Sequence, residues 1–209
     1  MIISTVAIGT HYETLAQRLQ DSFSQDVIVI TEQEQISQDP LINGLWHKSN
    51  FANFLTSEDE DSPVLFCDAD MFSLTPNPLE TFEVNPETDI AFVPYKGNWH
   101  FPDKIRQEAF NHFGYKINSG FIWFKNLQIA KQVCSAWVNA YLDRIALYET
   151  APNITKNEYD EYALMIALKD MDLTIQLLDS KWNVWGLTTK EEIQNSDSIF
   201  FQSHDEFDL

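Results

Sequence analysis

Val64-Leu65-Phe66-Cys67-Asp68-Ala69-Asp70 runs four apolar residues directly into two carboxylates separated by one small residue. An apolar tetrad without polar alternation suits a strand covered on both faces of a parallel or mixed sheet. Ligands of open α/β sheets collect outside the carboxyl ends of the strands, and Asp68 and Asp70 are expected there, at a solvent-facing strand end. The Asp-X-Asp pattern alone is weak. The 17 aspartates predict about 1.4 such triplets by chance, and the chain has three. Asp59-Glu60-Asp61 lies in the acidic run Ser57–Ser62, and Asp170-Met171-Asp172 lies where a helix gives way to a strand, so both read as solvated. Position singles out Asp68-Ala69-Asp70.

Working outward, Ile2–Ile8 is β-branched and apolar, stops at Gly9, and is followed by a stretch of helical composition over Tyr12–Leu19. Val27–Ile30 predicts a second strand and Leu45–Leu55 a helix. After the acidic connection, Pro63 opens the strand at 64–67. Further strands are predicted at Ile90–Val93, Gly120–Phe124, Leu173–Leu178 and Ile199–Phe201. A long helix is predicted over Leu127–Leu147, where Ile129, Val133, Trp137, Tyr141 and Ile145 recur every four residues. A second runs over 157–168, with Asn157 as cap and an acidic first turn. Alternation of this kind predicts an α/β fold. It is a single domain over residues 1–209 with a mixed central sheet flanked by helices, and residues 202–209 form a short C-terminal tail.

Apolar residues make up 44% of the chain and aromatic ones 13%, enough for one sizeable core. Thirteen Lys and Arg against 32 Asp and Glu leave a net charge of −19, whose field repels nucleic acid and anionic lipid. No nucleic-acid partner is expected. Cys67 and Cys134 could form one bridge at most, which excludes a disulfide scaffold and fits a reducing compartment. No apolar run approaches the roughly 20 residues that span a bilayer, and Met1–Thr5 has no basic signal-like start. A cytoplasmic location follows as the expectation.

Two carboxylates flanking Ala69 can both reach one hard cation, and Mg²⁺ or Mn²⁺ favours such oxygen ligands beside phosphate. The competing reading is two solvated aspartates, and the strand-end position favours the metal. Trp99 and His100 follow the polar run Lys96-Gly97-Asn98, where an aromatic has little reason to be buried, so contact with an acceptor is expected there. Trp182, Asn183 and Trp185 read as core.

Three segments, Val64–Met71, Ile117–Asn126 and Tyr159–Leu164, resemble in order and spacing the nucleotide-sugar glycosyltransferases of GT-A type, especially family eight and its relatives. The likeness extends from the first strand to His204. It implies a GT-A-like, Rossmann-like fold and a metal-dependent hexosyltransferase. A sugar would move from a nucleoside diphosphate sugar, UDP-sugar favoured, to a hydroxyl acceptor with retention of configuration. By the same resemblance, Thr10 and Tyr12 would hold the base and ribose, and Lys48 would face the phosphates or sugar. Asp68 and Asp70 would bind Mn²⁺ or Mg²⁺, with His204 as third ligand and Asp68 also near the ribose, and Asn118, Ser119 and Gly120 would line the donor sugar. Asp160 and Glu161 would be the catalytic carboxylates beside the sugar and acceptor. Read without the family, Tyr12 is better taken as the start of the first helix and Lys48 as an exposed helix lysine, while Asn118-Ser119-Gly120 could be a turn before a strand and His204 is equally a tail residue. The family also continues past its histidine with a glycine and a Lys-Pro-Trp-like segment, whereas this chain has five residues after His204.

Two other functions share some of these features. A phosphatase of the haloacid-dehalogenase class also places Asp-X-Asp after an apolar strand, but there the motif opens the fold and a Thr or Val follows two places on. Here 67 residues precede Asp68 and that place is Phe72. A catalytically silent sugar- or nucleotide-binding module would have no need for intact Asp68 and Asp70.

Overall fold

The computed structural model describes residues 1–31, 34–56, 60–75, 77–95, 104–150, 159–184 and 197–202. In chain order the elements are β1 (Ile2–Val6), α1 (Thr10–Asp21), β2 (Val27–Ile30), α2 (Pro40–Ser49), β3 (Val64–Cys67) and β4 (Met71–Ser73). These are followed by β5 (Ile90–Tyr95), α3 (Lys104–Phe113), β6 (Lys116–Phe124), α4 (Leu127–Thr150), α5 (Tyr159–Lys169), β7 (Ile175–Leu177) and β8 (Phe200–Gln202). Short 3₁₀ turns at Phe51–Phe54, Pro78–Thr81 and Ser180–Trp182 link some of them.

Six strands form one mixed sheet in the order β2-β1-β3-β6-β5-β7, with β6 antiparallel to both its neighbours and the remaining pairs parallel. Strand pleating sends successive side chains to opposite faces. Val64 and Phe66 of β3, with Ile90 and Phe92 of β5, join one apolar cluster with α4 and α5 residues such as Trp137, Tyr141 and Tyr162. Leu65, Cys67, Ala91 and Val93 face the other way, onto Leu19, Phe200 and Trp182. Apolar residues on both faces are therefore covered, as the unbroken run at 64–67 requires. A separate ribbon pairs β4 with β8 on this second face. Cys67 and Cys134 are both buried free thiols. Among the described residues no helix is long and apolar enough to cross a membrane.

Most predicted elements appear, with informative shifts. α2 begins at Pro40 rather than Leu45, because Asp39 caps it by accepting the Leu41 N–H at 3.0 Å and Pro40 occupies the first turn. It ends at Ser49, and the predicted remainder is a 3₁₀ turn. The Asn118-Ser119-Gly120 triplet is not a turn before a strand: it lies inside β6, which starts at Lys116. The β5–β6 register shifts there, since β6 uses five steps between Ile117 and Ile122 while β5 uses two between Pro94 and Phe92. This bulge puts Ile117 and Ile122 on the same face despite their odd separation. α3 and the three-residue β4 have no clear signature in the sequence.

Phe51 is fully buried in the 3₁₀ turn after α2, with ring centroids 4.6 Å from Phe66 and 5.8 Å from Phe124. Phe51→Ala should cost about 3–5 kcal/mol in urea denaturation, the usual price of an unfilled aromatic site. A loss below about 1 kcal/mol would show that this corner is not packed as described.

Candidate functional site

The parallel strands β1, β3 and β5 all end on one edge of the sheet, and antiparallel β6 begins there. Outside that edge lies a cleft of about 540 Å³, a size suited to a small ligand. Lys48, Asp68, Asp70, Asn118, Ser119, Asp160 and Glu161 give it a polar lining, and Ile8, Tyr12, Pro40, Leu41 and Leu45 a less polar one. A larger open groove of about 780 Å³ follows the β7 edge past Glu83–Thr88, but the convergent charged groups are not there.

Lys48, in the last turn of α2, is at the centre. Its Nζ lies 2.8 and 2.9 Å from the two Asp68 carboxylate oxygens and 2.9 Å from Asp160 Oδ2, with only 12% of the side chain exposed. Burial works against its charge, yet the two carboxylates hold its ammonium well above the usual lysine range. Lys48 is therefore not an exposed helix lysine. Asp160, in the first turn of α5, also accepts the Ser119 hydroxyl at 2.8 Å. Burial alone would raise its carboxyl, but the Lys48 charge and the bonds from Lys48, Ser119 and the Glu161 backbone bring it below the ordinary range. Asp68 goes the other way: burial and the Asp70 charge push it up to about 6 despite Lys48.

Asp68 and Asp70 do not simply face solvent, as a strand-end position suggested. Asp70 is 4% exposed. The carboxamide of Gln202, the last residue of β8, reaches both: its Nε2 donates to Asp68 Oδ2 at 3.1 Å and to Asp70 Oδ1 at 3.1 Å. The β4–β8 ribbon, in which Met71 pairs with Gln202, folds this strand over the acidic triplet and covers it.

Glu161 points to a second buried lysine, Lys116, with 2.6 Å between Oε2 and Nζ. Burial and the neighbouring Asp160 charge push its carboxyl up to about 7 against the pull of Lys116. Asn118 Oδ1 accepts both the Gly120 N–H and Asn183 Nδ2 at 2.8 Å. That leaves the buried Asn118 Nδ2 and Asn183 Oδ1 with no hydrogen-bond partner among the described residues. A Cβ on Gly120 would stand 2.8 Å from both Asp68 Oδ2 and Asn183 Nδ2, so only glycine lets β6 run this close to Asp68.

The structure thus brings together Lys48, Asp68, Asp70, Asn118, Ser119, Asp160 and Glu161, with Gly120 behind them. Tyr12 is 39% exposed on the cleft flank, and burial with the Asp70 and Asp68 charges raises its phenol. Thr10 is exposed at the first position of α1 and does not line the cleft. Trp99, His100, Trp185 and His204 lie outside the described residues. Trp182 packs as core against Phe82 and Phe121, with ring centroids 4.8 and 5.9 Å away. Lys116 and Gln202 have no assignment from sequence, and Asn183, which reads as core there, lies at the site. Gln202 stands two places before His204, in a segment read for its histidine alone, and a lone lysine at a strand start carries no signal.

No family model and no curated protein sequence matches the chain. Solved structures do. A glycosyltransferase involved in the glycosylation of the major capsid of PBCV-1 matches with TM-score 0.56 and 13% identity, over 97% of this chain and 92% of that one. Mouse xyloside xylosyltransferase 1 in its apo form gives 0.52 and 10%, over 97% of each chain. An active-site mutant of LgtC gives 0.56 and 9%, over 97% of this chain and 86% of that one. The fold is therefore the GT-A type that the sequence resemblance implied.

Glu161 makes a pH-dependent contribution whose sign can be read from these contacts. Its carboxyl titrates near 4.5 in the unfolded chain and near 7 here. Its contribution to stability is complete below pH 4.5 and is lost as pH rises through 7. With metal chelated, the stability of wild type relative to Glu161→Gln should therefore fall by on the order of 2–3 kcal/mol between pH 4.5 and 7.5. Parallel curves from denaturant titrations across that range would place Glu161 in water instead of beside Asp160 and Lys116.

Proposed function

We propose that this protein is a metal-dependent glycosyltransferase, which moves a sugar from a nucleoside diphosphate sugar, UDP-sugar favoured, to a hydroxyl acceptor with retention of configuration. One observation carries the reading: the Asp160–Lys48–Asp68 bridge, with Asp70 beside it, sits at the carboxyl ends of the strands in a fold shared with three glycosyltransferases.

The donor set fits a divalent cation. Asp68 Oδ2 and Asp70 Oδ1 lie close enough for one group, the Gln202 amide nitrogen, to bond both at 3.1 Å, and no third Asp, Glu, His or Cys joins them among the described residues. Four carboxylates, Asp68, Asp70, Asp160 and Glu161, face two lysines, so the fully ionised cluster has two negative charges in excess. Oxygen ligands of this kind select Mg²⁺ or Mn²⁺. Asp68 and Asp70 would hold the ion, which when bound offsets the charge of the diphosphate leaving group. The remaining work falls to side chains of this chain.

Lys48 offsets part of the carboxylate charge at the cleft wall, which lowers the repulsion that an anionic donor meets in a protein of charge −19. The unpaired Asn118 Nδ2 is a buried donor for a sugar hydroxyl or phosphate oxygen, and Tyr12 with the apolar flank offers a surface for a base. Asp160 remains ionised at neutral pH and suits the stabilisation of positive charge developing on the sugar ring. Glu161, titrating near neutrality, can hold or release a proton beside it. Trp99 and His100 are assigned to the acceptor side on the strength of their sequence context.

A panel of nucleotide sugars screened by thermal shift with Mn²⁺ identifies the donor, since a ligand at 100 times its dissociation constant stabilises by about 2.7 kcal/mol. With that donor, Asp70→Ala should lower Mn²⁺-dependent turnover at least about 100-fold while the protein stays folded. Normal turnover in that variant rules out the metal role. Proton NMR of the first-formed product should show the donor's anomeric configuration. An inverted product would instead make Glu161 or Asp160 a general base for the attacking hydroxyl.

A further inference from the structure

We infer that Gln202 is a protein ligand of the divalent cation held by Asp68 and Asp70, binding through its carboxamide oxygen; the inference rests on the metal-dependent reading of that pair.

Three observations support it. The first is placement. β8 pairs with β4 in a register that sets Gln202 opposite Met71, the residue after Asp70, and the Gln202 N–H donates to the Val184 carbonyl at 2.8 Å. The side chain is thereby fixed over the acidic triplet by main-chain bonds on both sides. The second is distance. One terminal atom of the amide lies 3.1 Å from Asp68 Oδ2, 3.1 Å from Asp70 Oδ1 and 3.4 Å from Asp70 Oδ2. Adjacent ligand atoms of an octahedral ion with bonds of about 2.1 Å stand about 3.0 Å apart. The hydrogen-bonded amide therefore stands at a spacing from both carboxylates that a neighbouring ligand would also keep.

The third is chemistry. A carboxamide carries a donor and an acceptor of nearly equal size on the same carbon. Facing two carboxylates, the amide presents its nitrogen to them. Once a cation is shared by Asp68 and Asp70, the same position calls for an acceptor, and a half-turn of the amide brings Oε1 there without moving the backbone. Gln202 thus acts on both states: it relieves the repulsion between the carboxylates in one and completes the oxygen set in the other. His204, which the sequence resemblance assigned as third ligand, lies two residues further on.

The test uses the full chain and Mn²⁺ itself, with calorimetric titration, electron paramagnetic resonance of the bound ion, and thermal unfolding in chelator or Mn²⁺. Gln202→Ala should weaken Mn²⁺ binding about tenfold or more and alter the resonance signal. Gln202→Glu, with a third carboxylate and no donor, should unfold at lower temperature than wild type in chelator and gain more than wild type from Mn²⁺. The second variant stays informative if the first does not fold. Unchanged or tighter binding by Gln202→Ala would mean that the amide only plugs the gap, and overturns the inference. So would a smaller Mn²⁺ gain in Gln202→Glu than in wild type, or a loss of affinity in His204→Ala with none in Gln202→Ala. Absence of Mn²⁺ binding by wild type, or wild-type affinity in Asp70→Ala, is a different failure: it removes the metal reading of Asp68 and Asp70 and the role of Gln202 with it.

Discussion

The ammonium of Lys48 ties together three parts of the chain at the cleft: the last turn of α2, the end of β3 at Asp68 and the first turn of α5 at Asp160. A lysine this deeply buried survives as a cation only because both carboxylates contact it. Those carboxylates tolerate burial only because it is charged. Removal of either side of such a pair leaves a buried charge uncompensated, at a cost of about 3–5 kcal/mol, whereas the intact pair contributes little net stability. Its value is therefore positional. It sets where β3 and α5 present their carboxylates in the cleft, and every other feature of the site is arranged around that.

The bulge in β6 follows from the same requirement. Asp68 donates its N–H to the Gly120 carbonyl at 2.8 Å, and its carboxylate lies so close to Gly120 that a methyl group would not fit. The five-step excursion between Ile117 and Ile122 turns Asn118 and Ser119 into the cleft, where Ser119 holds Asp160 and Asn118 keeps an unpaired donor. Regular pairing would have continued the apolar ladder up to the edge. The irregularity is what converts the rim of a sheet into a polar wall, consistent with the concentration of bulges beside functional sites.

Much of this was legible in the sequence, and the reason is local. β2 and β3 are legible with their observed bounds because short β-branched or apolar runs between turn residues have few other fates. Asp68 and Asp70 were found because they follow such a run. α4 was found through Trp137 and Tyr141, whose spacing of four has one meaning over that length. What was missed depends on partners remote in sequence. Nothing near Lys48 says that it is buried, since Asp68 is 20 residues away and Asp160 lies on another helix. The contact of Gln202 with Asp70 spans 132 positions, and it exists only because β8 pairs with a three-residue strand too short to recognise. Asn118-Ser119-Gly120 reads as a turn by composition, and only the register against β5 reveals a bulged strand.

The two acidic residues that open α5 can now be separated. Both sit where a helix dipole favours negative charge, so composition alone assigns them the same capping role. They differ in their neighbours. Adjacent residues on a helix project about 100° apart, which sends Asp160 to Lys48 and Ser119 but Glu161 to Lys116. The first is held ionised and the second is pushed up to about 7, so one turn of helix carries a permanent anion beside a group that exchanges protons near neutrality. The indole N–H of Trp137, in the centre of α4, donates to the Asp160 main-chain carbonyl at 2.6 Å and ties that turn to the deepest part of the core. Divided protonation states on a rigid turn are what acid–base chemistry at one site requires. Here burial and the Asp160 charge raise Glu161 against the pull of Lys116, while Lys48, Ser119 and the Glu161 main chain hold Asp160 down, and a tryptophan that touches neither side chain's charge anchors the turn that carries both.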